Sequence, residues 1–168
     1  MTATSLKKYM LDTNIFDSLV KGRLAISRLP SDGEFCATAI QLEELKNIRD
    51  SRKRSRLMEK FTEIIDARGT MLHTAFAFDI AGAGFDQGHW RSDGSLYYAL
   101  KKDLDDAWDR KPKKEQRRSK KQNNAKDALI AEAAHFNGCT LLTCDGDLAE
   151  VAAKHGINVL RFSYDAVD

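Results

Sequence analysis

Short apolar runs alternate along this chain with longer stretches whose apolar residues recur at helical spacing, and this alternation constrains the fold more than any other feature. Strands are expected at residues 9–11, 34–37, 70–72, 140–143 and 157–162. Helices are expected at residues 39–49, 55–67, 96–108, 125–137 and 148–155, with another directly after the first strand. Because alternation at this spacing is typical of parallel sheets covered by helices, the pattern predicts an α/β fold with helices on both faces of the sheet.

Length and composition indicate one globular domain. A chain of 168 residues can bury a proper core but is short for two domains, and its 42% apolar and 31% charged residues are normal for a folded protein. No apolar run approaches the roughly 20 residues that cross a bilayer, and the start lacks a secretory signal, so we expect a cytoplasmic protein without a membrane segment. Three cysteines without CxxC spacing suggest neither a disulfide framework nor a zinc site.

Positive charge is concentrated in residues 110–121, although the net charge of the whole chain is only +2. This run holds one acid and eight basic residues: Arg110, Lys111, Lys113, Lys114, Arg117, Arg118, Lys120 and Lys121. A second basic run covers residues 49–60. Basic patches on an otherwise acidic chain are typical of proteins that bind phosphate backbones, whereas a solvated helix face is the ordinary alternative. We take residues 110–121, an exposed helix or a mobile loop, as the candidate nucleic-acid-binding segment.

Acidic residues occupy the ends of two predicted strands. Asp12 and Asp145 are each the first acid after an apolar run, and each is followed by a helix. Asp127 lies in the first turn of the helix predicted for residues 125–137. Because the turns that follow parallel strands lie at one edge of the sheet when the connections are right-handed, we expect these three carboxylates to converge.

A fourth acid is expected from the helix at residues 39–49. A helical projection places its apolar residues on one face, which Glu44 borders, while Glu43 points away towards solvent. Of the two, Glu44 is therefore the one expected to reach the acidic site.

Four converging carboxylates would repel one another unless a cation lay among them. An all-oxygen ligand set favours Mg²⁺ or Mn²⁺ over zinc. We expect Asp12, Asp127 and Asp145 to bind the ion directly or through water. Such an ion suits hydrolytic phosphoryl chemistry, in which Glu44 would complete the shell or orient the attacking water.

Polar neighbours of these acids offer supporting contacts. Asn14 and Thr143 could hydrogen-bond the carboxylates or a scissile phosphate, although turn formation and capping also account for such residues. Asp147 is either a further ligand or the N-cap of the helix at residues 148–155, and capping is the favoured interpretation.

Four segments also carry a family resemblance. Leu11-Asp12-Thr13-Asn14-Ile15-Phe16 resembles the opening motif of PIN-domain nucleases, and the segments beginning at Thr38, Asp127 and Leu142 resemble their second, third and fourth motifs, with Glu44 as the acid of the second. The resemblance implies a single PIN-like domain over residues 1–168, with three layers, α/β/α, and a central parallel sheet of four or five strands. It also implies a Mg²⁺- or Mn²⁺-dependent endoribonuclease, often a VapC-like toxin silenced by an antitoxin protein, and often a homodimer. Residues 81–122 form a basic, helical insertion that the motifs do not match.

Two alternatives place acids at strand ends in a similar way. A phosphatase of the haloacid-dehalogenase type would need a second aspartate two residues after Asp12, where this chain has Asn14. A non-catalytic nucleic-acid-binding PIN-like module would use the same edge of the sheet without cleaving its ligand. Retention of all four acids favours the nuclease, and a metal-dependent cleavage assay separates the two.

Overall fold

A five-stranded parallel sheet forms the centre of the structure, a computed structural model that describes residues 6–75, 80, 82–83, 88–89, 95–116 and 121–164. The strands are β1 (Lys7–Leu11), β2 (Gly33–Thr38), β3 (Gly69–Leu72), β4 (Thr74–Ala75), β5 (Gly88–His89), β6 (Thr140–Thr143) and β7 (Val159–Arg161). The sheet has the order β3-β2-β1-β6-β7, and every neighbouring pair in it is parallel. Strands β4 and β5 form a separate parallel pair.

Helices cover both faces of this sheet. They are α1 (Thr13–Val20), α2 (Ala39–Lys46), α3 (Ser51–Arg68), α4 (Ser95–Asp109), α5 (Lys113–Gln116), α6 (Asn123–Phe136) and α7 (Gly146–Lys154). One core contains buried residues of α4, α6 and α7, and the other contains those of α1 and α3. The predicted three-layer α/β/α fold with a parallel sheet is therefore confirmed, and the sheet has five strands.

Alternate residues of the central strands supply the two cores. Met10 and Leu141 pack into the core formed by α4, α6 and α7, whereas Leu11 and Leu142 pack into the core formed by α1 and α3. All four side chains are fully buried. Because successive side chains of a strand point to opposite faces, an apolar run buried on both sides is what a central parallel strand requires.

Helices α3 and α6 begin before the predicted positions. Helix α3 begins at Ser51 rather than at residue 55, because the Asp50 carboxylate accepts a hydrogen bond from the Lys53 amide at 2.8 Å and caps the helix. Helix α6 begins at Asn123 rather than at residue 125, so Asp127 is its fifth residue and lies beyond the first turn, contrary to the prediction.

The region around the basic run is only partly described. The predicted helix at residues 96–108 is confirmed as α4, which packs against α6. Helix α5 follows Pro112, and residues 117–120 lie outside the described residues. Most of residues 81–95, for which the glycine content predicts loops broken by brief helices, also lies outside them. Every helix in the described part of the chain is too short or too polar to pass through a lipid bilayer.

Candidate functional site

An acidic groove of about 530 Å³ opens at the carboxyl edge of the sheet. Asp12 follows β1 and Asp145 follows β6, and these strands are paired neighbours with Leu11 beside Leu142. The Asp12 amide continues this pairing by donating to the Leu142 carbonyl oxygen at 2.9 Å. The acids that line the groove are Asp12, Asp17, Glu44, Asp127 and Asp145. The structure therefore brings together the four acids that the sequence analysis singled out.

Asp12 lies at the floor of the groove and is only 3% exposed. Its Oδ2 accepts hydrogen bonds from the Thr143 hydroxyl at 2.6 Å and from Asn14 Nδ2 at 2.5 Å. Asn14 Oδ1 accepts from the Cys144 amide at 3.0 Å, and Thr143 Oγ1 accepts from the Asp145 amide at 2.9 Å. Asn14 and Thr143 thus tie the turn after β1 to the turn after β6, and both contact the Asp12 carboxylate as predicted.

Asp145, and not Asp147, caps helix α7. Its Oδ1 accepts hydrogen bonds from the amides of Asp147 at 2.8 Å and Leu148 at 3.1 Å. The interpretation of Asp147 as the N-cap was wrong because the helix begins at Gly146, two residues earlier than predicted. The Asp147 carboxylate forms an ion pair with Lys111 instead. Asp145 is therefore oriented by its own helix, where a carboxylate is also favoured by the helix dipole.

Helix α2 directs Glu44 into the groove. Gln41 of the same helix is fully buried. Its Oε1 accepts a hydrogen bond from the Thr38 amide at 2.9 Å, and its Nε2 donates to the Leu11 carbonyl oxygen at 2.9 Å. These bonds fix the start of α2 beside the end of β1. Glu44 then accepts a hydrogen bond from the Thr13 hydroxyl at 2.5 Å, whereas Glu43 pairs with Lys46 at 3.0 Å, outside the groove.

Burial, together with repulsion among the acids, raises the pKa of two of them. Burial raises the pKa of Asp12 to about 7, opposed by the Thr143 hydrogen bond and reinforced by the charges of Asp145 and Glu44. Burial, followed by the charges of Asp12, Glu44 and Asp145, also raises the pKa of Asp127 well above its ordinary value, while Lys126 opposes this shift. Such shifts are frequent at functional sites because a cluster of like charges is unfavourable without a ligand.

The donor chemistry of the groove fits a hard divalent cation, since every acidic group there offers oxygen. Within the described residues, however, no three acidic, histidine or cysteine side chains stand together as ready-made ligands for one ion. Instead, one oxygen of Asp12 accepts hydrogen bonds from Asn14 and Thr143, and one oxygen of Glu44 accepts from Thr13. To hold a cation, these carboxylates must turn or share their oxygens.

Three further polar residues belong to the groove or its rim, although the sequence analysis did not select them. Thr13 binds Glu44, and Lys126 Nζ lies 3.4 Å from Glu44 Oε1. Lys53 also lines the groove and pairs with Asp17 at 2.9 Å. Their positions next to predicted site residues, or within the second basic run, were the available signals.

The structure distributes the basic run between ion pairs and solvent. Lys111 pairs with Asp147 beside the groove, and Lys121 binds both carboxylate oxygens of Asp109 at 2.7 and 2.9 Å. The side chains of Arg110, Lys113 and Lys114 are exposed. The predicted residues Arg117, Arg118 and Lys120 lie outside the described residues.

Comparison with known proteins establishes the fold. No protein-family model matches the sequence, and the comparison with curated proteins finds no match. A solved domain of a functionally unknown protein from Methanocaldococcus jannaschii is 15% identical, with a TM-score of 0.55, and the match covers 96% of this chain and 95% of that one. VapBC2 from Rickettsia felis is 18% identical, with a TM-score of 0.51 and coverage of 94% and 99%. VapBC-5 from Mycobacterium tuberculosis, of the VapBC family of toxin–antitoxin systems, is 16% identical, with a TM-score of 0.51 and coverage of 92% and 98%. The predicted PIN-like fold is confirmed by these similarities.

The raised pKa of Asp127 predicts how the acidic cluster changes stability with pH. A folded-state pKa above the ordinary value means that ionisation costs stability as the pH rises past that ordinary value. In EDTA, Asp127→Asn should therefore raise the free energy of unfolding at pH 8, with little gain near pH 4. Urea denaturation at both pH values measures the change.

Asp17→Asn is the matched control in the same groove. Partial burial raises the pKa of Asp17, but Lys21 and Lys53 outweigh this effect and hold the pKa below its ordinary value. Its replacement should therefore lower stability at pH 8, the opposite sign. An Asp127→Asn protein that is less stable than the wild type at pH 8 would show that repulsion does not dominate at this position.

Proposed function

We propose that this chain is an endoribonuclease that hydrolyses RNA phosphodiester bonds with Mg²⁺ or Mn²⁺ in the acidic groove. The observation that carries the proposal is the convergence of Asp12, Glu44, Asp127 and Asp145 at one edge of the sheet, where two of them have raised pKa values. Ligand sites of open α/β sheets lie at this edge, and hydrolytic phosphoryl chemistry requires an oxygen-rich cation site. The PIN-like fold agrees with this activity.

The three aspartates would hold the cation. Asp145 uses Oδ1 to cap α7, which leaves Oδ2 for the groove. Asn14 and Thr143 fix the orientation of Asp12, so that its carboxylate needs little rearrangement. Partners of this kind orient metal ligands in many proteins and are important for affinity.

A bound cation would supply a Lewis acid that activates water and neutralises charge developing on the phosphate. Glu44 would complete the shell or orient the attacking water, a role that suits its position in the same groove as the aspartates. Attack of water on phosphorus breaks the bond to O3′ and leaves a 5′-phosphate and a 3′-hydroxyl.

Two adjacent glutamates of α2 test the assignment directly. Glu44→Gln should reduce cleavage of end-labelled RNA in Mg²⁺ or Mn²⁺ by about 100-fold or more, the usual order for loss of a group in acid–base catalysis. Glu43→Gln should stay within about twofold of the wild type, because Glu43 pairs with Lys46 outside the groove. EDTA should abolish all cleavage.

Equal cleavage activities of the two variants would show that Glu44 has no catalytic role. If the wild type binds RNA but cuts no nucleic acid with any divalent cation, the chain is a non-catalytic nucleic-acid-binding module, the second reading that the sequence permits. Cleavage that persists in EDTA would exclude the cation from the reaction.

The basic run is the proposed contact for the RNA backbone. Lys111 connects this segment to Asp147, two residues from Asp145, so the run begins at the rim of the groove. Arg110, Lys113 and Lys114 are exposed, and within the described residues no ion pair engages them, so they can contact phosphates. Such contacts determine affinity rather than sequence preference.

Replacement of Arg110, Lys113 and Lys114 by alanine should weaken RNA binding and flatten its salt dependence. Each lost phosphate contact should reduce the slope of log affinity against log salt by about 0.7. Fluorescence anisotropy of labelled RNA in EDTA measures binding without cleavage. A triple alanine variant at Lys7, Lys102 and Lys154, which pair with acids elsewhere on the chain, controls for net charge. Equal slopes for both variants would assign the RNA contacts to another surface.

We also propose that the chain is the toxin of a toxin–antitoxin pair. VapBC2 and VapBC-5 share its fold and are toxin–antitoxin structures. The acidic groove is complementary to a cationic segment of a protein inhibitor. In bacterial cells, the wild-type chain should arrest growth, Glu44→Gln should not, and the product of the neighbouring gene should relieve the arrest. Normal growth at high wild-type expression would contradict the toxin role.

A further inference from the structure

Lys126 places a positive charge beside Glu44, one of the acids that line the groove. Lys126 is the fourth residue of α6 and immediately precedes Asp127. Its Nζ lies 3.4 Å from Glu44 Oε1, with about a third of the Lys126 side chain and a sixth of the Glu44 side chain exposed. Its charge also opposes the rise in the pKa of Asp127. The ammonium therefore partly offsets the repulsion among the carboxylates.

Lys53, which lines the groove, pairs with a different acid. Its Nζ lies 2.9 Å from Asp17 Oδ1, and Asp17 Oδ2 pairs with Lys21 at 2.6 Å. The charge of Lys53 is thus matched at the side of the groove formed by α1. Among the described residues, Lys126 is the lysine that forms an ion pair with one of the four proposed catalytic acids.

Both oxygens of Glu44 are engaged. Oε2 accepts from the Thr13 hydroxyl, and Oε1 faces the Lys126 ammonium. A cation that uses Glu44 must share an oxygen with one of these partners or replace that partner. The hydroxyl is neutral and can rotate, whereas the ammonium repels a divalent ion at short range. The four-carbon stem of a lysine allows its ammonium to move away.

We propose that Lys126 is a displaceable internal counter-ion, which holds Glu44 until a divalent cation takes its place. The inference rests on the proposed metal site and concerns how the chain regulates occupancy of that site. Lys126 stabilises the protein when no divalent ion is bound, and it competes with the ion for the acids. Removal of its charge should therefore have opposite effects on stability and on cation affinity.

Lys126→Met tests both effects, because it keeps the apolar stem and removes the charge. In EDTA, the thermal unfolding midpoint should fall by about 2–4 °C, the shift expected for loss of one modest interaction in a chain of this size. In isothermal titration, Mn²⁺ should bind about three- to tenfold more tightly, because a repelling charge is absent. Lys126→Arg, which retains the charge, should keep the wild-type midpoint.

Lys46→Met is the matched control. Lys46 pairs with Glu43 at 3.0 Å on the helix that carries Glu44, but it lies outside the groove. Its midpoint should stay within about 1 °C of the wild type, and its Mn²⁺ affinity within about twofold.

The outcomes separate this inference from the proposed function. If the wild type binds Mn²⁺ and Lys126→Met behaves like Lys46→Met, the counter-ion role is overturned and the metal site stands. Weaker Mn²⁺ binding by Lys126→Met would also overturn it, since Lys126 would then support the site and not compete for it. A wild type that binds no Mn²⁺ would overturn the metal site and, with it, the exchange.

Discussion

Mutual repulsion among four carboxylates in one partly buried groove is the constraint on which the rest of this structure depends. Asp12 is almost fully buried and shares the groove with Glu44, Asp127 and Asp145. Such an arrangement lowers stability unless the surrounding structure or a ligand compensates for it. The parallel sheet imposes the proximity, because β1 and β6 are neighbours and deliver Asp12 and Asp145 to the same edge. The fold therefore concentrates negative charge where a cation could bind and, once bound, attract a phosphate backbone.

Local hydrogen bonds hold the acids in place against this repulsion. Thr143 donates to Asp12 and accepts from the Asp145 amide, so one hydroxyl connects the two acids. Asp145 is fixed by the amides of α7, and Glu44 is positioned by a helix whose buried Gln41 binds the end of β1. Asp12, Asp145 and Glu44 are thus oriented by partners from the sheet edge or from a helix start. Rigid support of this kind gives a catalytic group its geometry before substrate arrives.

Much of this arrangement was predictable from the sequence, and the reasons are local. Asp12 and Asp145 were identified because each is the first acid after an apolar run, and Glu44 was chosen over Glu43 from the helical projection. The role of Asp147 was predicted wrongly, since a shift of two residues in the helix start transfers capping to Asp145. The contact of Glu44 with Lys126 was not predictable, because it joins side chains 82 positions apart whose meeting depends on tertiary packing. The basic run is similar: its charge was evident in the sequence, but its pairing with Asp147 was not.

We propose that these acids jointly hold one or more hard divalent cations, and anomalous diffraction from crystals soaked in Mn²⁺ tests this proposal directly. A Mn²⁺ ion held by these acids should give a peak in the groove about 2.0–2.3 Å from carboxylate oxygens of at least two of Asp12, Asp127 and Asp145, with the Lys126 ammonium moved away from Glu44. A groove without a peak at saturating Mn²⁺, or an ion bound only at other surface acids, would contradict it.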